Sequence, residues 1–216
     1  MKPGARNAGW TLIELLVLIA FVAIVFSLIP CATPRDKQRA RRVQCASNLK
    51  QIALSLQIFA NERDGCFPWM LSTNQAGSME LTNSVAMFEH LRAASNEMVL
   101  PKILICRADE ARTWTTNFAE LSNDHVSYFV SLDTGPHQAR NTQSILAGDR
   151  NVLGGTALNS SLRVVLKSGQ VAWSQEIHRN AGNLALVDGS VLQVDNPGLN
   201  KAISTMTNAA IRVAIP

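Results

Sequence analysis

The chain has 216 residues with a formal net charge of +4, 17% charged and 6% aromatic residues. That length leaves room for an apolar anchor and one soluble domain of ordinary size. A charge this modest does not by itself point to nucleic acid, and the four cysteines (Cys31, Cys45, Cys66 and Cys106) show no CxxC pair or zinc-type spacing.

Residues 1–9 form a short leader with two basic residues, Lys2 and Arg6, and no acidic one. Gly9-Trp10-Thr11-Leu12-Ile13-Glu14 then opens an apolar run that continues from Leu15 to Phe26. A lone carboxylate at Glu14 is costly there, because an ionised side chain near hydrocarbon costs about 3 kcal/mol on insertion scales. Counted from Trp10 to Ile29, the segment corresponds to roughly 30 Å of helix, a bilayer's hydrocarbon thickness. The reading is a transmembrane and assembly helix over 10–29. Pro30 before Cys31 argues against both a secretory cleavage site and a lipid-modified cysteine. Arg35, Lys37, Arg39, Arg41 and Arg42 follow, and charge counting alone would keep the C-terminal part in the cytoplasm. This cluster lacks the interleaved aromatics that stack on single strands, so lipid headgroups or a solvated helix face explain it better than nucleic acid.

An amphipathic stem helix is predicted over 30–64, since Ala46, Leu49, Ile52, Ala53, Leu56, Phe59 and Ala60 recur at three- and four-residue steps. Pro30 and Pro34 bend or loosen its junction with the first helix. The remainder, 65–216, reads as an α+β head. Gly65 to Ser78 is loop, Ser84 to Ala94 a short helix, and Leu100 to Cys106 an extended segment. Strands are predicted at Val126–Leu132 and Ser144–Ala147. Leu162–Leu166 and Gln170–Trp173 suggest a hairpin across Lys167-Ser168-Gly169. The clearest hairpin joins Asn183–Val187 to Ser190–Val194 across Asp188-Gly189, a pair suited to a two-residue turn with positive φ at both positions. The tail from Leu199 to Ile211 reads as a final helix or irregular cover.

The leader, Gly9, the aromatic Trp10, Glu14 and the apolar run together resemble the N-terminus of type IV prepilins and type II secretion pseudopilins. The resemblance continues through Arg41-Arg42-Val43-Gln44-Cys45-Ala46-Ser47-Asn48-Leu49-Lys50-Gln51-Ile52, Cys106 and Ala147-Gly148-Asp149-Arg150-Asn151. It also takes in Asn183 and the spacing His178-x9-Asp188-Gly189, which is similar to the prepilin-associated H-x9-DG domain. Trp10 replaces the phenylalanine usual at the first mature position of that group.

The resemblance implies a pilin-like fold: a long N-terminal helix, transmembrane then amphipathic, carrying a C-terminal antiparallel-sheet head. It implies cleavage between Gly9 and Trp10, N-methylation of Trp10, and assembly guided by Glu14. The implied function is that of a structural pseudopilin in a type II secretion system, not an enzyme. The alternatives are a minor type IV pilin for attachment or DNA uptake, or a membrane-tethered enzyme. Implied partners are a prepilin peptidase and methyltransferase, other pilin-like subunits, an inner-membrane assembly platform and lipid. The implied location is the bacterial inner membrane, single-pass, with the head exported to the periplasm. In an exported head Cys66 could bridge to Cys106, or the cysteines could be free thiols or packed small hydrophobes.

His178 reads as a strand-edge or packing residue and Asp188 as a turn residue, with no catalytic spacing around them. No cofactor is expected. Related major pseudopilins carry a calcium loop of oxygen ligands, and its candidate counterparts here are Asp188, Asp195 and Asn196, outside any Asp-rich run.

Overall fold

The computed structural model describes residues 9–27, 34–135, 143–157, 163–206 and 210–216. The chain divides into two units, Met1–Lys37 and Gln38–Pro216. In the first, helix α1 runs from Leu12 to Ser27 and buries none of its residues. Its large apolar side chains stand exposed, from 81% at Leu12 to 43% at Val22.

Among the described residues no helix is long and apolar enough to cross a membrane. The 16 residues of α1 reach only about 24 Å at ~1.5 Å each, short of a bilayer core. The transmembrane helix expected over 10–29 is therefore corrected, and the single-pass inner-membrane location with an exported head falls with it. The physical reason lies at the N-terminus, where Trp10 and Thr11 precede the helix instead of belonging to it. Ile29 and Pro30, and with them the expected junction, lie outside the described residues.

Helix α2 is described over Pro34–Asn61. Its predicted stripe is the one that packs: Leu49, Ile52, Ala53, Leu56, Phe59 and Ala60 are buried together with Cys45. After α2 the chain forms a loop with short 3-10 turns, including Pro68–Met70 and Thr73–Gln75, as the loop reading anticipated. The helix read over 84–94 shortens to α3, Phe88–Arg92. Leu100 to Cys106 is not extended, because Pro101 initiates a 3-10 turn through Leu104.

The strands are β1 Tyr128–Ser131, β2 Ile145–Asp149, β3 Val152–Leu153, β4 Thr156–Ala157, β5 Arg163–Lys167, β6 Ala172–Trp173, β7 Ala181–Leu186 and β8 Val191–Asp195. Helix α4, Asn196–Ser204, and strand β9, Ala210–Ala214, complete the chain. Seven strands make one antiparallel sheet in the order β4-β5-β9-β1-β2-β7-β8, while β3 and β6 pair separately. The head is thus α+β with an antiparallel sheet, as read from the pattern, but the sheet is larger than expected.

Both faces of the sheet's central strands are covered. Tyr128, Val130, Ala147 and Ala185 join the cluster built on α2, whereas Phe129, Leu184, Leu186, Ile211 and Val213 join Leu199 and Ile203 of α4 on the other side. Period-2 alternation sends neighbouring residues of β1 and β7 to opposite clusters, while the irregularity in β2 leaves Leu146 and Ala147 in the same one. Because both clusters are apolar, β1, β2 and β7 are buried along their whole length. Their sequences therefore lack the polar alternation of a half-exposed strand.

Two pairings differ from expectation. Gln170 N donates to Lys167 O, so the chain does turn at 167–170. The strands then part: β5 joins β4 and β9, while β6 pairs with β3. The predicted hairpin is absent there, and Leu162 lies outside the described residues. The Asp188-Gly189 hairpin is present, with Ala185 opposite Val191. Its loop holds three residues, because Leu186 N donates to Ser190 O and Gly189 N donates back to Leu186 O. Only Gly189 of the pair has positive φ, at 80°. This is the three-residue loop whose last residue is left-handed, the place where glycine is favoured.

Gly182 in β7 faces the ring of Trp173, and a Cβ there would lie 2.6 Å from the indole. Gly182→Ala is expected to destabilise the head by about 1–3 kcal/mol through overpacking. Urea unfolding followed by tryptophan fluorescence reads this directly, and an unshifted midpoint would contradict the packing described.

Candidate functional site

Two places bring the sequence motifs together, one in each unit. In the first unit, Gly9 and Trp10 are both exposed, and a Cβ at Gly9 would meet nothing within 4 Å. Thr11 and Glu14 form a reciprocal pair that the sequence reading passed over. Glu14 Oε2 accepts from Thr11 N and from Thr11 Oγ1, both at 2.8 Å, and Glu14 N donates to Thr11 Oγ1 at 3.3 Å. This is a capping box, readable as T-x-x-E, and it satisfies amide donors that a helix start leaves unpaired. Glu14 therefore has a local task in α1 besides the intermolecular one the resemblance implies.

In the head, the segments quoted for the resemblance converge on one buried polar centre. Cys45 on α2 and Cys106 after the 3-10 turn are joined by a disulfide, and Cys66 is free and half-buried. The bridge considered between Cys66 and Cys106 is thus corrected. Cys45 points into the sheet-facing cluster with Cys106, whereas Cys66 lies in the turn beyond the end of α2.

His178 Nε2 lies 3.3 Å from Cys106 Sγ, 3.5 Å from Asp149 Oδ2 and 3.4 Å from Asn183 Nδ2. Arg179 and Asn180, with φ of 55° and 62°, turn the chain between His178 and β7. Asp149, at the end of β2, is fully buried; its Oδ2 accepts from Asn183 N at 2.7 Å and from Asn183 Nδ2 at 2.9 Å. From α2, Arg42 Nη2 donates to Gly182 O and Val194 O at 3.3 and 3.4 Å. Beside this centre Arg150 clasps Asp109 through two hydrogen bonds of 2.7 Å.

Burial decides the ionisation. It pushes the Asp149 carboxyl up to about 7, opposed by the Asn183 hydrogen bonds and by Arg42. It pulls the His178 imidazole down to about 4, helped by Arg42 and opposed by Asp109. Asp149 Oδ1, Asn183 Oδ1 and Arg42 Nε are buried with no hydrogen-bond partner among the described residues.

His178 and Asp188 do not meet. His178 sits beside the disulfide at the middle of α2, while Asp188 lies at the far end of β7, where its Oδ1 accepts from Ser190 N at 2.8 Å. At that end Gln57 of α2 donates through Nε2 to Val187 O. From Cys45 to Gln57 the helix rises about 18 Å, and the six residues of β7 span about 20 Å. The nine-residue spacing therefore matches a stretch of α2, and the two ends of the motif hold the β7–β8 hairpin along it. The reading of Asp188 as a turn residue and His178 as a packing residue agrees with these positions.

The calcium candidates are dispersed. Asp195 Oδ1 caps α4 by accepting from Gly198 N at 2.9 Å, and Asn196 Oδ1 accepts from Trp173 N at 2.7 Å. Strand β8 separates Asp195 from Asp188 by roughly 20 Å. Asp149 and the pairing of Cys45 are the site residues that sequence reasoning missed. Asp149 lay inside a segment quoted for the resemblance, but nothing local marked it as buried. Compared with protein-family models, with curated proteins and with solved structures, the chain gives no match.

Proposed function

We propose that the protein is a pseudopilin-like structural subunit, cut between Gly9 and Trp10 by a prepilin peptidase, methylated on Trp10, and assembled into a filament through α1. The single observation that supports this most is α1 itself, an apolar helix with no buried residue. A continuous exposed apolar surface favours association, at about 25 cal/mol for each Å² removed from water. Sister helices packed side by side would cover it. The exposure of Gly9 and Trp10 fits a processing step that precedes packing.

Glu14 then acts twice. Within one chain it caps α1 through Thr11; between chains its remaining lone pairs accept the freed ammonium of a neighbouring Trp10. A pair of opposite charges is tolerated in a water-poor bundle where a single one is not. Within the head, α2 is tied by the disulfide to the segment leading into β1 and by Gln57 to the turn end of the H-x9-DG hairpin. The protein is the substrate of the processing enzyme and contributes mechanically to a type II secretion or related type IV filament system.

Expression in the native cell tests the reading. Gly9→Ala is expected to abolish the mature species and leave the full-length precursor, whereas Glu14→Ala is still cut but fails to co-assemble. Mass spectrometry should find a methylated Trp10 at the N-terminus of the wild type. Wild-type protein that begins at Met1 would overturn the proposal.

A further inference from the structure

We propose that Cys45, Cys106, His178 and Asp149 form a tetrahedral Zn²⁺ site when the disulfide is reduced, so that the centre is held by a covalent bond in one redox state and by a metal ion in the other. This goes beyond the assembly role and is independent of it.

The geometry points there first. The two Sγ atoms and His178 Nε2 lie within 4.8 Å of one another. Around an ion with zinc-like bonds of about 2.0–2.3 Å, tetrahedral ligand atoms are spaced roughly 3.3–3.8 Å apart. The contacts from His178 Nε2 to Cys106 Sγ, 3.3 Å, and to Asp149 Oδ2, 3.5 Å, already have that spacing. Asp149 stands outside that group of three, so on reduction the two sulfurs must part and the Asp149 carboxylate must close on them.

The surroundings fit a structural metal site. Cys45, Cys106 and Asp149 are at 0% exposure, and the His178 side chain is at 3%. Asp149 offers a second oxygen, Oδ1, that is buried with no hydrogen-bond partner among the described residues. Asn183 holds Asp149 Oδ2 from two donors, which is how outer groups orient a ligand. Two thiolates and a carboxylate around a divalent ion leave one negative charge, and Arg42 carries its complement next to Asp149. Sulfur and imidazole donors select zinc over calcium or magnesium.

The chemistry balances with a phosphine or dithiol reductant. Two electrons from the reductant and two protons from water or the dithiol convert the disulfide into two thiols; a phosphine leaves as its oxide, carrying the water oxygen. Zn²⁺ then replaces both thiol protons, which pass to the buffer.

The test uses the full chain carrying Cys66→Ser, which leaves only the proposed pair of thiols in the described head. The protein is reduced with a water-soluble phosphine under argon and titrated with Co²⁺, then Zn²⁺. The expected result is stoichiometric uptake with sulfur-to-cobalt charge transfer and intense tetrahedral visible bands, bleached by Zn²⁺ and absent from the oxidised protein. His178→Ala and Asp149→Asn should each weaken binding roughly tenfold or more. If reduction loosens the head, Zn²⁺ should restore its circular dichroism. A folded reduced chain that takes up no Co²⁺ would overturn the proposal. So would a weak octahedral spectrum, a spectrum indifferent to His178→Ala and Asp149→Asn, or a loosened head that Zn²⁺ does not restore.

Discussion

Cys106→Ser, measured with a chelator present, is expected to lower the unfolding free energy of the head by about 4 kcal/mol. The disulfide spans a separation of 61 residues, and closing a loop of that length in the unfolded chain removes entropy worth about 4 kcal/mol. The loop runs from the middle of α2 through its C-terminal half, the 3-10 turns and α3. It therefore ties the helix that covers one face of the sheet to the segment leading into β1. Breaking the bond also leaves a serine hydroxyl in a cluster lined by Leu49 and Tyr128, which adds to the loss. Urea denaturation of the wild type, of the wild type reduced with a phosphine, and of the variant should give lowered midpoints for the last two, with that of the variant the lower. A variant as stable as the oxidised wild type would mean that packing alone holds α2 in place.

Asp149→Ala is expected to cost roughly 3–5 kcal/mol. It strips the acceptor from Asn183 N and Nδ2, both buried, and removes a carboxylate that acts electrostatically on Arg42. Asp149→Asn keeps the shape and makes the pH dependence legible. Burial raises the Asp149 carboxyl from 3.8 to about 7, so the folded head binds a proton more readily than the unfolded chain between those values. This contribution to stability is full below pH 3.8 and is lost as pH rises through about 7.

His178 works in the opposite direction. Its ionisation is lowered from 6.5 to about 4, so its contribution is present above 6.5 and is lost as pH falls through about 4. Between pH 4 and 6.5 the two slopes oppose each other and part of the dependence is hidden. Subtracting the stability of Asp149→Asn from that of the wild type isolates the carboxyl. The difference should fall as pH rises from 4 to 7, at up to about 1.4 kcal/mol for each pH unit. A difference that stays flat would show that Asp149 titrates as an ordinary exposed carboxylate.

The same centre shows why some of the molecule was legible and some was not. The stripe from Leu49 to Ala60 and the Asp188-Gly189 hairpin depend on residues a few positions apart, where helical period and turn chemistry act directly. The Thr11–Glu14 box is equally local, a T-x-x-E spacing in which each residue satisfies the other's amide. β9 carried its own faint signal in the alternation Ile211-Arg212-Val213, with Arg212 exposed between two buried neighbours. Its place between β5 and β1 depends on strands far away in the chain. The separation of β5 from β6 has the same origin: both strands existed in the pattern, but partners elsewhere competed successfully for each.

From the amino-acid order alone came the apolar character of α1, the α+β class of the head and the face of α2 that packs. These follow from side-chain hydrophobicity and local backbone preference, which act over one or two turns. Only the tertiary structure decided that Cys45, not Cys66, pairs with Cys106. It also brought Asp149, Asn183 and His178 together from residues far apart in the chain. Burial, ionisation and disulfide partnership are properties of neighbours in space, and those neighbours are chosen when the two faces of the sheet close against α2 and α4.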